Sequence, residues 1–292
     1  MDLKEFGNKL KLIRKKLNLT QDFVSEQCCI TRKKIIDIEK GHTYPSIEDI
    51  KSLSKVYKIN LIDLFIQYHK YYNTNIRNEI EEIESKLSDM NYNDLIYNIN
   101  NLKKYQNKNI FIKQYLSAIK GFYYMKSKEQ NIDKAINYLN SALKFSIKQF
   151  SINSYKKFYY SSLEYRILIA LADCYRFNGD SFLYNEIVNF SYKNLEEINE
   201  SYFLIRIHYA INKSLKSNFL ESINSINETI NLINKYKFYN YLPFLYFINH
   251  LNYKKINENN LADEYLNKAL VLSECYNKLN LRDLIINKIR KK

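Results

Sequence analysis

Leu3, Phe6, Leu10, Ile13 and Leu17 recur at three- and four-residue steps, which predicts an amphipathic helix at the start of the chain. Asn18 suits its stop, and Thr20 suits the N-cap of a second helix through Phe23, Val24 and Gln27 to a Cys28–Cys29 turn. Thr31 caps a third helix with Ile35 and Ile38 inward. Gly41 ends it, because glycine accepts the left-handed conformation at a helix C-terminus. Pro45–Ser46 opens a fourth helix with Ile47, Ile50, Leu53 and Val56 on its buried side. Asn60 caps a fifth, Leu61 to about Lys70, burying Leu61, Leu64 and Phe65.

Beyond residue 70 the pattern changes to repeats of small and large apolar positions. Ala135, Leu139, Ala142 and Leu143 form one set, and Ala262, Leu266, Ala269 and Leu270 repeat it. Residues 219–230 are a weaker copy and 91–102 a weaker one still, while Leu171, Ala172, Tyr175 and Gly179 suit the first helix of another pair. Such spacings resemble tetratricopeptide repeats, in which a small residue lets two antiparallel helices approach and a large one fills the groove between them. Turns near Met90, Gln130, Gly179, Ser217 and Asn257 are separated by 40, 49, 38 and 40 residues. These steps exceed the usual repeat of about 34, so lengthened helices or inserted loops are expected. The expected fold is all-α: a helix-turn-helix bundle over 1–70, then a right-handed superhelix of five degenerate helix pairs over 71–292. A last helix, Leu281 to Lys292, closes it.

Composition supports the helical reading, since 292 residues contain only 4 Gly and 2 Pro. The apolar runs are too short to span a bilayer and Met1–Glu5 has no signal-peptide architecture, so a soluble, cytoplasmic protein without a membrane role is expected. The cysteine spacings suggest neither a disulfide framework nor a zinc site. A net charge of +14 is compatible with nucleic acid, but a chain rich in Lys, Asn, Ile and Tyr is also what A+T-rich codons produce. The placement of charge decides more than its total. No phosphate-binding glycine loop, His-Glu-x-x-His or nucleophile motif is present, so an enzyme is not expected, nor any cofactor or metal.

Arg32, Lys33 and Lys34 follow the Thr31 cap, giving a short, braced helix a basic N-terminal end. Such an end fits the major groove of DNA. Arg32 and Lys33 are the candidates for base edges; Lys34 suits a base or a phosphate, and Thr43 and Tyr44 are placed for backbone contact. This segment resembles the Cro/C1-type (XRE) helix-turn-helix family through Ile13-Arg14, Leu19-Thr20-Gln21, Ile35, Ile38-Glu39-Lys40-Gly41, Tyr44-Pro45-Ser46 and Leu61-Ile62-Asp63-Leu64-Phe65. The resemblance implies an ion pair of Arg14 with Glu39 and a phosphate contact by Gln21 at the start of the second helix; Thr31 is a further DNA-binding candidate. Where the family often has glycine, this chain has Cys29. Either Cys29 adopts a left-handed conformation or the turn differs.

The first helix of each pair would line the concave face of the repeats. Lys120, Tyr124, Arg166, Asp173, Arg176, His208 and Asn212 are the candidate peptide ligands there, as groups able to hold backbone amides, carboxylates and rings. A helix-turn-helix followed by such repeats resembles the peptide-responsive RRNPP regulators of Gram-positive bacteria. Gly41–Ser46, the junction Cys29-Ile30-Thr31-Arg32, the terminal Leu284–Arg290 and the overall length carry that resemblance. It implies a homodimeric transcriptional regulator of quorum-sensing type, its repeats binding a short signalling peptide and its paired domains an inverted-repeat operator. Two other readings stand beside it: repeats that bind a protein, as in phage lysogeny or anti-repressor systems, and an adaptor whose helix-turn-helix makes protein contacts.

Overall fold

The computed structural model describes residues 3–59, 61, 62, 65, 74–106, 110–194, 198 and 200–290. Contacts divide the chain into two units, Met1–Arg77 with Lys157–Glu164, and Asn78–Lys156 with Tyr165–Lys292.

Local chemistry sets the helix boundaries of the first unit, α1 (Leu3–Lys16), α2 (Gln21–Cys28), α3 (Arg32–Lys40) and α4 (Ile47–Tyr57). Thr20 Oγ1 accepts from the Phe23 amide and Thr31 Oγ1 from the Lys34 amide, so each satisfies a backbone donor that the helix cannot. Ser46 and Asp49 form a reciprocal capping box at the start of α4. Gly41 is left-handed, with φ 73°. Cys29 is left-handed too, at φ 55°, which settles the alternative at the α2–α3 turn: the turn is kept, and a side chain tolerates it.

Phe6, Leu10, Val24, Ile35, Ile38, Ile50, Leu53, Tyr57 and Leu61 form the core of this unit. Two apolar assignments need correction. Leu17 lies past the end of α1 and is 40% exposed; Ile47, at the first turn of α4, is 57% exposed. The buried stripe of α4 is Ile50, Leu53 and Tyr57, set by the helical period from Asp49 onward. Gly7 was not singled out by spacing, yet a Cβ there would meet the Ile38 carbonyl oxygen at 2.3 Å, so it permits backbone contact between α1 and α3. Of the fifth helix, Asn60, Asp63, Leu64 and 66–70 lie outside the described residues; Leu61 is buried and Phe65 packs edge-on against Phe6.

The second unit is built of antiparallel pairs. They are α5 (Thr74–Ser88) with α6 (Leu95–Lys103), α7 (Ile110–Lys126) with α8 (Ile132–Ser146), and α9 (Ser162–Phe177) with α10 (Ser181–Asn194). Next come α11 (Glu200–Leu215) with α12 (Phe219–Tyr236), α13 (Leu242–Lys255) with α14 (Asn259–Cys275), and α15 (Leu279–Arg290). No strand occurs among the described residues.

Met90, Gly179, Ser217 and Asn257 each take positive φ at a turn within a pair, and so stop one helix before the next begins. The α7–α8 turn works differently: Gln130 Nε2 donates to the Met125 carbonyl and Asn131 Oδ1 accepts from the Lys134 amide. The longest sequence step is explained by the connection between α8 and α9, which includes a 3-10 turn at Ile152–Lys157. Close approach of α7 and α8 rests on Gly121, whose added Cβ would lie 2.6 Å from Leu139, beside fully buried Ala135 and Ala142. The final helix begins two residues earlier than its apolar pattern indicates, and Lys291 and Lys292 lie outside the described residues.

Candidate nucleic-acid interface and ligand groove

In the first unit the buried pair comes first. Arg14 Nε lies 2.5 Å from Glu39 Oε1 and Nη2 donates to Oε2 at 2.8 Å, while Nη1 donates to the Leu19 carbonyl. Both residues are nearly inaccessible, at 7% and 3%. The hydrogen bond to Glu39 outweighs burial and raises the Arg14 pKa above its ordinary value, so the guanidinium keeps its charge. Gln21 Nε2 donates to Glu39 Oε2 at 2.8 Å, which places this side chain within the same network.

This network fixes α3 against α1 and leaves the N-terminal turn of α3 at the surface. Arg32 is exposed and pairs with the equally exposed Asp22 at 3.0 Å; Lys33 is exposed, with no ion-pair partner among the described residues. Lys34 differs, because its Nζ lies 2.8 Å from the buried carboxylate of Asp49. Burial alone would raise the Asp49 pKa; the bonds from Lys34 and Ser46 hold it below the usual range. Thr31 spends its hydroxyl as the helix cap. Thr43 is half-buried and Tyr44 is 52% exposed in the loop that follows Gly41.

In the second unit the sequence candidates separate by what they touch. Arg166 donates from both Nη atoms to Glu84 at 3.1 and 2.8 Å, and Tyr115 donates to the same carboxylate at 2.7 Å. Burial opposes the arginine's charge, but Glu84 raises its pKa, and Glu84 is correspondingly held low. Asn212 donates to Asn185 Oδ1 at 2.8 Å. Tyr124 stacks on Tyr138 at 5.7 Å, with Lys120 Nζ 5.4 Å from the same Tyr138 ring, so these two belong to the α7–α8 contact.

Asp173, Arg176 and His208 are brought together. Arg176 donates to Asp173 Oδ1 at 3.1 and 2.9 Å, and His208 Nδ1 sits 3.9 Å from Asp173 Oδ2 and 3.2 Å from Tyr184 Oη. Burial would raise the Asp173 pKa, but His208, Lys126 and Arg176 together lower it, so it is ionised. Burial lowers the pKa of His208 more than Asp173 raises it, so the imidazole is neutral near pH 7. Spacing did not single out Lys126, and only folding places its Nζ 4.6 Å from the Phe177 ring, whose neighbour Arg176 lies 4.7 Å from the same ring.

No helix among the described residues is long and apolar enough to cross a membrane.

Residues 10–64 match the helix-turn-helix family. The HTH-type transcriptional activator BcrR of Enterococcus faecalis is 37% identical over 60 residues, 20% of this chain and 29% of BcrR. An uncharacterized HTH-type transcriptional regulator of Methanocaldococcus jannaschii is 37% identical over 59 residues, 20% of this chain and 89% of that protein. Among solved structures, Bacillus thuringiensis PlcR in complex with the peptide PapR7 and DNA superposes with TM-score 0.61 at 19% identity, over 97% of this chain and 99% of that one. ComR from S. thermophilus, in complex with DNA and its signalling peptide ComS, gives 0.52 at 14% identity, over 97% and 98%. The chain belongs to the helix-turn-helix transcriptional regulators, and its fold is that of PlcR and ComR.

Proposed function

We propose that this protein is a sequence-specific DNA-binding regulator, acting as a homodimer, whose repeat unit binds a short signalling peptide and thereby sets DNA occupancy. The observation that supports DNA recognition is α3, braced by the Arg14–Glu39 pair and offering Arg32 and Lys33 at its exposed N-terminal turn. Arginine and lysine there suit guanine O6 and N7 in the major groove, while Thr43 and Tyr44 suit the adjacent backbone. One short helix spans few base pairs, so two copies on an inverted repeat are the geometric expectation.

Peptide binding is supported by the polar side chains on the first helices of successive pairs, above all Asp173, Arg176 and His208. The whole-chain likeness is to regulators solved with both a peptide and DNA. A ligand shifts the dimer between arrangements only as far as it prefers one of them. The test is in vitro selection of random duplexes by the full-length protein. An inverted repeat with half-sites about one helical turn apart is expected, roughly 34–36 Å between centres. A selected pool no different from the input would overturn the assignment.

A further inference from the structure

We propose that Asp22 is a specificity-determining residue of the DNA interface: its carboxylate, set against Arg32, leaves that arginine able to read a neutral base edge and penalises its use on backbone phosphate. This inference rests on the DNA-recognition reading above and adds to it a group that separates the operator from other sequences.

Two cations at the start of α3 face a carboxylate, for different reasons. Lys34 is bonded to buried Asp49, which also serves the α4 capping box, so that acid has a structural reason to be there. Arg32, the first residue of α3, has its Nε 3.0 Å from Oδ1 of Asp22 in the first turn of α2. Both side chains are open to water, at 60% and 62%, and a pair so exposed adds little to stability. Thr20 already caps α2 through the Phe23 amide, and the adjacent Gln21 is tied to Glu39, so neither the cap nor the buried network employs Asp22. An acid in the first turn suits the dipole of α2. The dipole does not aim that acid at the arginine of the next helix.

A carboxylate on a surface that meets a polyanion lowers affinity for every sequence, because phosphate contacts dominate binding. Its placement beside Arg32 turns that loss into discrimination. Asp22 engages Nε, and a guanine takes only two of the five guanidinium donors at its O6 and N7. Arg32 can therefore meet the base with the carboxylate alongside, and the base edge carries no charge to repel it. A phosphate does carry one. A guanidinium shared with Asp22 attracts a phosphate less, and the carboxylate opposes that phosphate directly. Specificity is a difference of affinities, so weakening the phosphate-bound arrangement widens it without any better fit to guanine.

The experiment measures the affinity of full-length protein, by fluorescence anisotropy at one salt concentration, for a duplex obtained by in vitro selection and for its scrambled counterpart. Asp22→Asn, which removes the charge and keeps the size, should bind the scrambled duplex roughly 1.5- to 5-fold tighter, the range of an exposed ionic interaction. It should bind the selected duplex with a smaller gain, so the ratio of the two affinities falls. Asp22→Glu should keep the parent's ratio, and all variants should melt like the parent. In an Arg32→Ala background, Asp22→Asn should leave the ratio unchanged, since the carboxylate then has no arginine to restrain. Equal tightening on both duplexes with Arg32 present would make Asp22 a general repulsive charge, overturning the inference and leaving DNA recognition standing. A ratio that falls as far without Arg32 as with it would overturn the inference too. A parent protein that does not distinguish the two duplexes would overturn the DNA-recognition reading, and this inference with it.

Discussion

Asp89 caps a helix 191 positions away: its carboxylate accepts the backbone N–H of Asn280 at 3.1 Å and the Asn280 amide at 2.5 Å. The backbone N–H of Leu281 points to the same oxygen as that of Asn280, at 3.4 Å. These are first-turn donors of α15, which have no partner inside the helix. Lys278 completes the contact by donating to Ser88 Oγ and to the Asn240 carbonyl. The turn of the first helix pair is thereby bonded to the last helix of the unit, and both ends of the array are secured by one another.

Asp89→Ala should therefore lower the stability of the full chain by about 1 kcal/mol, the usual cost of removing a helix N-cap. Asp89→Asn should recover part of it, since its oxygen still accepts. Urea unfolding of the three proteins measures this, with hydrogen exchange at α15 as the local readout. Identical exchange of α15 amides in parent and Asp89→Ala would refute the role.

Lys278 gives a pH dependence of known sign. Burial lowers its pKa to about 8, with Asp89 opposing the fall. The unfolded chain holds that proton up to the ordinary lysine value of about 10.4. Between those limits the folded chain binds fewer protons than the unfolded one, so this residue makes stability rise with pH. The penalty is fully present below pH 8 and is relieved towards pH 10. Lys278→Met should flatten that rise and raise stability at pH 7, where the parent keeps a desolvated charge. Unfolding free energies of parent and variant at pH 7.5 and 9.5 provide the check, and a difference that does not change with pH is the adverse outcome.

What was legible in the sequence was local. Thr20, Thr31, Ser46 and Gly41 act within three or four residues of themselves, so their capping roles follow from spacing alone. Ala135 and Leu139 repeat at helical steps, and the pairing of α7 with α8 follows from them. Ile47 failed because the buried stripe of α4 begins at Asp49 and Ile50, leaving the helix's first residue 57% exposed. The groove was legible only as a list of helices. Whether Arg166 is available or bound depends on Glu84, which is 82 positions away, and Lys126 on α7 meets the Phe177 ring only through folding. Asp89 and Asn280 are further apart still, and no periodicity connects them.

Breaking the Arg14–Glu39 pair from one side should be costly. Glu39→Ala leaves a nearly inaccessible guanidinium and frees the Gln21 amide, an expected loss of about 3–5 kcal/mol if no water reaches the site. Replacing both partners, Arg14→Met with Glu39→Leu, should recover much of that loss, because neither charge is then left buried. The measurement is hydrogen exchange of α1 and α3 in the full chain, together with denaturant unfolding. A double variant as unstable as Glu39→Ala would show that the pair itself, and not the orphaned charge, sets the energy.

The basic residues of α3 should behave differently from one another. Arg32 is exposed and its partner Asp22 equally so, a pairing worth little in water, so the arginine can exchange it for a base edge at small cost. Arg32→Ala should lose roughly 1–3 kcal/mol on the selected operator and much less on scrambled DNA, relaxing specificity. Lys33→Ala should behave alike if it meets a base, or weaken all sequences evenly and reduce the salt dependence if it meets phosphate. Lys34 is bonded to buried Asp49, itself half of the α4 capping box. Its removal should appear first as lost stability, with sequence preference retained. Fluorescence anisotropy against operator and scrambled duplexes at several salt concentrations, paired with thermal melts, separates the three. If Lys34→Ala melts like the parent while discarding specificity, Lys34 reads bases and its bond to Asp49 gives way on binding.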